Sequence, residues 1–174
     1  MQWTDGKVEP VLPCLQDKEP LFAGYAMELV IDVEREIPES ADQVWEILGD
    51  FSRYADLAPH IDNVELEQNH EGLLRHVDCG GRRIVHQLLV LDRMDRKVCF
   101  QVLRAPGIGP GHGHVSCVHT IPLSDKGCKV NWSTRIHHLP DWLPSGSENI
   151  FQKHATAVLA ENLDHLASTL ASRR

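Results

Sequence analysis

Beyond residue 60 the chain is a run of short apolar segments whose connections are too brief to carry it back across a sheet. The segments are "NVELEQ", "LLRHVDC", "RRIVHQLLVLD", "KVCFQVL", "GHVSCVHTIPL" and "CKVNWSTRIHHL", each bounded by glycine or charge. A parallel crossover needs about a dozen residues or more, so neighbours in this run have to pair antiparallel. This constraint excludes doubly wound folds and α/β barrels and predicts six successive antiparallel strands.

Another strand precedes them. Met27, Leu29, Ile31, Val33 and Ile37 alternate with Glu28, Asp32, Glu34 and Glu36, the pattern of a strand with one face buried. "PESADQVWEIL" then predicts a helix with Ser40 as its N-cap, Val44, Trp45 and Leu48 at helical spacing, and an end near Gly49. "DFSRYADLAPHI" predicts a second short helix closed by Pro59. The chain ends in a long helix, expected from about Ser145 to Ser172. Ser145 and Glu148 stand at capping-box spacing, and Phe151, Ala155, Val158, Leu159, Asn162, Leu166 and Leu170 share one face. The expected class is α+β, a curved seven-stranded antiparallel sheet wrapped around the C-terminal helix, with space for a ligand between them.

Residues 1–24, with Pro10, Pro13 and Pro20 and little periodicity, read as an extension to a single domain over residues 25–174. No apolar run approaches the roughly 20 residues of a membrane span, and the N-terminus lacks the apolar stretch of a secretory signal. Lys plus Arg is 17 and Asp plus Glu 25, a net charge of −8, which argues against nucleic acid or an anionic membrane as partner. Cys14, Cys79, Cys99, Cys117 and Cys128 are scattered, odd in number and without a C-x-x-C. They predict a cytoplasmic protein with neither a disulfide framework nor a structural zinc site.

The stretch "GIGPGHGHVSCVH" at residues 107–119 concentrates glycine and histidine. It joins two predicted strands and has no lysine, so it is neither a P-loop nor a dinucleotide fingerprint. His112 and His114 face no Asp or Glu in the loop, and of His137 and His138 on the next strand only one can point the same way. We expect a glycine-rich hairpin at a cavity mouth, with no metal and no cofactor.

The segment "IPESADQVWEILGDFSRYADLAPHIDNVE" resembles the opening of the START-like superfamily, also called the polyketide cyclase/dehydrase, Bet v 1-like or helix-grip proteins. "IVHQLLVLDRMDRKVCFQV", "GCKVNWS" and "AENLDHLAS" are similar to the branch that holds the plant abscisic-acid receptors and their bacterial relatives. The resemblance runs from about Met27 to the C-terminus. It implies the helix-grip fold and a hydrophobic or amphipathic small molecule in its cavity. It places Asn162 where those receptors keep a helix asparagine that holds ligand-linked water. It also places a gate loop at "DCGGRR" and a latch loop at "RAPGIGPGHGH". The receptors' His-Arg-Leu latch and Leu-Pro gate are absent, and His86 stands where they carry a glutamate, so hormone reception is not implied.

Strand parity nominates the cavity lining. Val98, Phe100 and Val102 share a face with Arg104, and Val130, Trp132, Thr134 and Ile136 share one with His138. Ile84, Leu88 and Val90 share one with Arg82 and His86, although Val85, Leu89 and Leu91 make an equally good inner set. Val115, Cys117 and Ile121 bring His119 inward and send His114 to the outer side or the rim. An imidazole in an apolar cavity can pass protons, and an arginine can hold a carboxylate or polarise a carbonyl. The expected catalytic set is His86, His138 and Arg104. The expected lining is Arg82, Phe100, Val102, His119, Trp132, Thr134, His154, Val158 and Asn162. Two functions stay open: a polyketide cyclase/dehydratase using acid/base histidine, or a non-catalytic carrier or sensor of a lipid or metabolite. The partners expected are a hydrophobic small molecule and, at most, a second copy of the chain in a homodimer.

Overall fold

The computed structural model describes residues 29–106, 113–140 and 142–173. The extension over residues 1–24, Met27 and the heart of the glycine-rich stretch with His112 lie outside the described residues. Seven strands form one antiparallel sheet: β1 (Leu29–Ile37), β2 (Asn63–Asn69), β3 (Gly72–Cys79), β4 (Arg82–Asp92), β5 (Lys97–Arg104), β6 (Val115–Ser124) and β7 (Gly127–Ile136). Their order across the sheet is β1-β7-β6-β5-β4-β3-β2. Consecutive strands from β2 to β7 are neighbours, as their short connections require, and β1 closes the series against β7.

Between β1 and β2 lie α1 (Ala41–Leu48) and α2 (Tyr54–Leu57). Ser40 caps α1, and the Gln43 side chain reaches back to the Ser40 N–H, so the cap is a full capping box. The long helix α3 (Glu148–Ala171) begins later than expected. Its N-cap is Ser147, with no side-chain cap bond, and the box expected from Ser145 does not form. Gly146 intervenes at φ +83, a left-handed turn that takes Ser145 off the helix.

The core lies between the sheet and the helices. Val44, Ile47 and Leu48 of α1, Phe51, and Leu163, Leu166 and Leu170 of α3 meet Ile31, Ile37, Val98, Phe100, Val118, Val130, Trp132 and Ile136 of the sheet. The α3 helix lies chiefly against β1 and α2, so its second half is the buried one. Val158 is 40% exposed and His154 is exposed, which takes both off the expected inner face.

Two parity assignments change. On β6 the buried residues are Ser116, Val118 and Thr120, so Val115, Cys117, His119 and Ile121 belong to the outer face. His119 is therefore not a cavity residue, and His114, which precedes β6, takes no face from its parity. Alternating apolar residues occupy both faces of this strand, and only its partners select one. On β4 both candidate sets are partly right. A register shift between Leu88 and Val90 lets Ile84, His86 and Leu88 face the core and then turns Leu91 inward in place of Val90.

The cysteine expectation is also overturned at one pair. Cys99 and Cys117 are register partners on β5 and β6, with Cα atoms 4.1 Å apart, and they form a disulfide. Both sit on the outer face, opposite Phe100 and Val118. Their separation of 18 residues carries no motif; only the hairpin register brings them together. The cysteine pattern thus ceases to argue for a reducing compartment. Cys79 and Cys128 are free thiols.

Candidate functional site

The inner face of β3 supplies a residue that parity alone did not single out. "LLRHVDC" has apolar residues at both Leu73 and Leu74, so its alternation is ambiguous. Pairing with β4 resolves it: Arg75 lies opposite His86, and Val77 opposite Ile84. Arg75 and His86 are each only 4% exposed.

The Arg75 guanidinium donates from Nε and Nη2 to His86 Nδ1 at 3.2 and 2.9 Å, and from Nη1 to the Phe51 carbonyl at 3.2 Å. Its plane is packed against aromatic rings, with Cζ 4.0 Å from the Phe51 centroid, 3.9 Å from Tyr54 and 5.0 Å from Phe100, which stabilises a cation taken out of water. The His86 ring lies 4.9 Å from Phe100 and meets Tyr54 edge-on at 5.3 Å.

These contacts set the protonation states. Because Nδ1 accepts from Arg75, the proton of a neutral His86 belongs on Nε2. Burial, then the charge of Arg75, then that of His114 hold the His86 pKa well below 6.5. His86 is accordingly a neutral imidazole at working pH, with Nε2–H as its donor. Burial lowers the Arg75 pKa only to about 10, so it remains a cation. Burial raises the Tyr54 phenol above 10.0 against the opposing pull of Arg75, so it keeps its proton. A cavity of about 10 Å³, room for a single water, lies beside the cluster. Arg75, Val98, Phe100 and Val118 line it from the sheet, and Phe51, Tyr54 and Leu57 close it from the helical side.

The other expected site residues fall elsewhere. Phe100, Val102, Trp132 and Thr134 are buried on the inner face. The Thr134 hydroxyl shares a hydrogen bond with Ser116 at 2.8 Å, while Trp132 Nε1 has no hydrogen-bond partner among the described residues. Asn162 is 6% exposed on α3, and its amide makes no hydrogen bond among the described residues. Arg104 ends β5 and Arg82 begins β4, and both are exposed, because inward parity at a strand end does not bring burial. His138 lies beyond the last residue of β7 and is exposed, so strand parity does not apply to it. Of the expected catalytic set, only His86 joins the buried cluster, and its partners Arg75 and Tyr54 lie outside the expected set. Among the described residues no group of three or more His, Cys, Asp or Glu is placed to hold a metal. No helix among them is long and apolar enough to cross a membrane.

The fold recurs in solved structures. Protein XoxI from Bacillus cereus is 20% identical at a TM-score of 0.70, over 83% of this chain and 96% of that one. Norcoclaurine synthase from Thalictrum flavum, in complex with dopamine and hydroxybenzaldehyde, is 17% identical at 0.65, over 94% and 98%. An aromatase/cyclase from a Streptomyces species is 18% identical at 0.63, over 84% and 96%. No curated sequence matches this chain. The profile of one family matches residues 28–171. Those residues take in every strand and helix described above, and the chain belongs to the polyketide cyclase / dehydrase and lipid transport family.

Proposed function

We propose that the protein binds a hydrophobic or amphipathic polycarbonyl compound between sheet and helices and promotes its cyclisation and dehydration. The observation that carries this reading is the buried Arg75–His86 pair, bonded at 2.9 Å beneath Tyr54. A carrier needs apolar lining and polar groups at the rim. Here a cation, a neutral imidazole and a phenol are gathered at one depth, where each is costly unless used.

The assignment of roles follows from the protonation states. A neutral His86 is a hydrogen-bond donor rather than an acid–base shuttle, and with Arg75 it would polarise a substrate carbonyl. The methylene between two carbonyls is acidic and gives its proton to solvent. Its carbon forms the new C–C bond to the polarised carbonyl, whose oxygen takes a proton from the Tyr54 phenol, which solvent restores. Loss of that hydroxyl with a neighbouring proton releases water. The cavity beside Arg75 is too small for such a substrate, so binding would displace α2, a helix of one turn. Membership of the polyketide cyclase / dehydrase and lipid transport family admits this reading alongside a carrier, and an aromatase/cyclase shares the fold.

The test is incubation of the full chain with a synthetic linear poly-β-ketone thioester, products being read by mass. Cyclised products that have lost water are expected. The rate should fall by roughly 10²–10³ in Arg75→Met and His86→Gln while binding stays within a few-fold. A native mass spectrum showing a retained apolar compound, with no turnover of any ketone offered, would identify a carrier instead.

A further inference from the structure

We infer that the cavity beside Arg75 is a binding site for one small monoanion, of the size of chloride. Arg75 is 4% exposed and cationic, and among the described residues no carboxylate forms an ion pair with it. Neither close neighbour compensates it: His86 accepts its N–H groups as a neutral ring, and Tyr54 keeps its phenolic proton. The cluster therefore carries a buried net positive charge, which a folded protein rarely leaves unpaired.

The geometry offers a place for the missing charge. A guanidinium has five N–H donors. His86 and the Phe51 carbonyl account for three of them, so one N–H on each terminal nitrogen is uncommitted. The cavity that Arg75 lines has room for about one water, and chloride, roughly twice that volume, would need the surrounding rings to give way slightly. Its remaining walls are mostly apolar and aromatic, including Phe51, Tyr54 and Phe100, and the positive edges of such rings suit an anion. Asp50 and Arg53 also line the cavity, and the Asp50 carboxylate keeps its negative charge there, which weakens the pull of Arg75 on an anion. Asp50 accepts from the Ser52 N–H and hydroxyl at 3.0 and 2.6 Å, and Arg53 pairs with Asp56 at 2.6 Å.

The inference shares its arginine with the function proposed above but can fail separately. Halide binding without turnover would leave the anion site and remove the enzyme; turnover without halide binding would do the reverse. The experiment is thermal unfolding of the full chain in sodium chloride, sodium bromide or sodium gluconate at equal ionic strength and neutral pH. Tm should rise and saturate in the halides, by roughly 3–6 °C at tenfold the dissociation constant, and stay lower in gluconate. In Arg75→Met the halide and gluconate curves should coincide. Should that variant not fold, chloride NMR on the native chain replaces it: the line should broaden and sharpen again as bromide displaces chloride. Coincident curves and an unbroadened line in the native chain would overturn the inference. A halide effect that survives Arg75→Met would overturn it as well.

Discussion

The inner face of the sheet is built in two ways. Towards β1 and β7 it presents Ile31, Ile37, Val130, Trp132 and Ile136, none more than 2% exposed. Towards β3 and β4 it presents Arg75 and His86, nearly as dry at 4%. Burial is thus almost equal across the sheet, while what is buried differs in kind. In the first half each side chain is stabilised by leaving water. In the second, desolvating a charge costs free energy, and three hydrogen bonds and three ring faces offset only part of it. We propose that the apolar half holds the fold and the polar half holds the site. Matched substitutions can break that division.

The largest effect belongs to the apolar half. Trp132→Ala should cost about 3–5 kcal/mol in chemical denaturation, since the indole is 1% exposed against Phe100 and β1. A loss below about 1 kcal/mol would mean that this half is not the stabilising one. Next comes the acid response of the polar half. His86 is neutral when folded and has the ordinary value near 6.5 when unfolded. Below 6.5 the unfolded chain therefore binds a proton that the folded chain refuses, and stability falls as pH falls. This group contributes a slope of about 1.4 kcal/mol per pH unit until the folded pKa is reached. His86→Gln should lack that slope when the two proteins are compared over the same range; identical slopes would mean that the histidine titrates freely.

Arg75→Met is expected to stay within about 1 kcal/mol of the native chain. Relief of a buried charge is set against stranding the Phe51 carbonyl and His86 Nδ1. A loss as large as that of Trp132→Ala would make Arg75 a structural residue and erase the distinction. The smallest effect should be that of Asn162→Leu, about 0.5 kcal/mol or less in either direction, because among the described residues its amide has no hydrogen bond to break. A loss of about 1–3 kcal/mol would show that the amide is a structural hydrogen-bonder.

The same two halves differ in how far they could be read from the residues. On β1 and β7 charged and polar residues alternate cleanly with Ile31, Val33, Val130 and Trp132, so parity and burial coincide. On β3, β4 and β6 both faces carry apolar side chains, and pairing alone decides which turns inward. Arg75 was hidden for this reason, His119 was misplaced, and the β4 register shift after Leu88 made neither candidate set wholly right. His138 and Arg104 failed differently: parity extends to the end of a strand, but the core does not. The Cys99–Cys117 bond depends on hairpin register, which residue spacing does not encode. The fold was legible because it follows from connection lengths. The site was not, because it depends on which side chains meet across neighbouring strands.

The central claim, a cationic Arg75 bonded to a neutral His86, is most directly tested by the nitrogen-15 NMR spectrum of the imidazole in the native chain as pH is lowered past 6.5. One protonated nitrogen, Nε2, and one accepting nitrogen, Nδ1, are expected, with shifts that hold steady through 6.5. Both signals moving together to the doubly protonated form with a midpoint near 6.5 would contradict it.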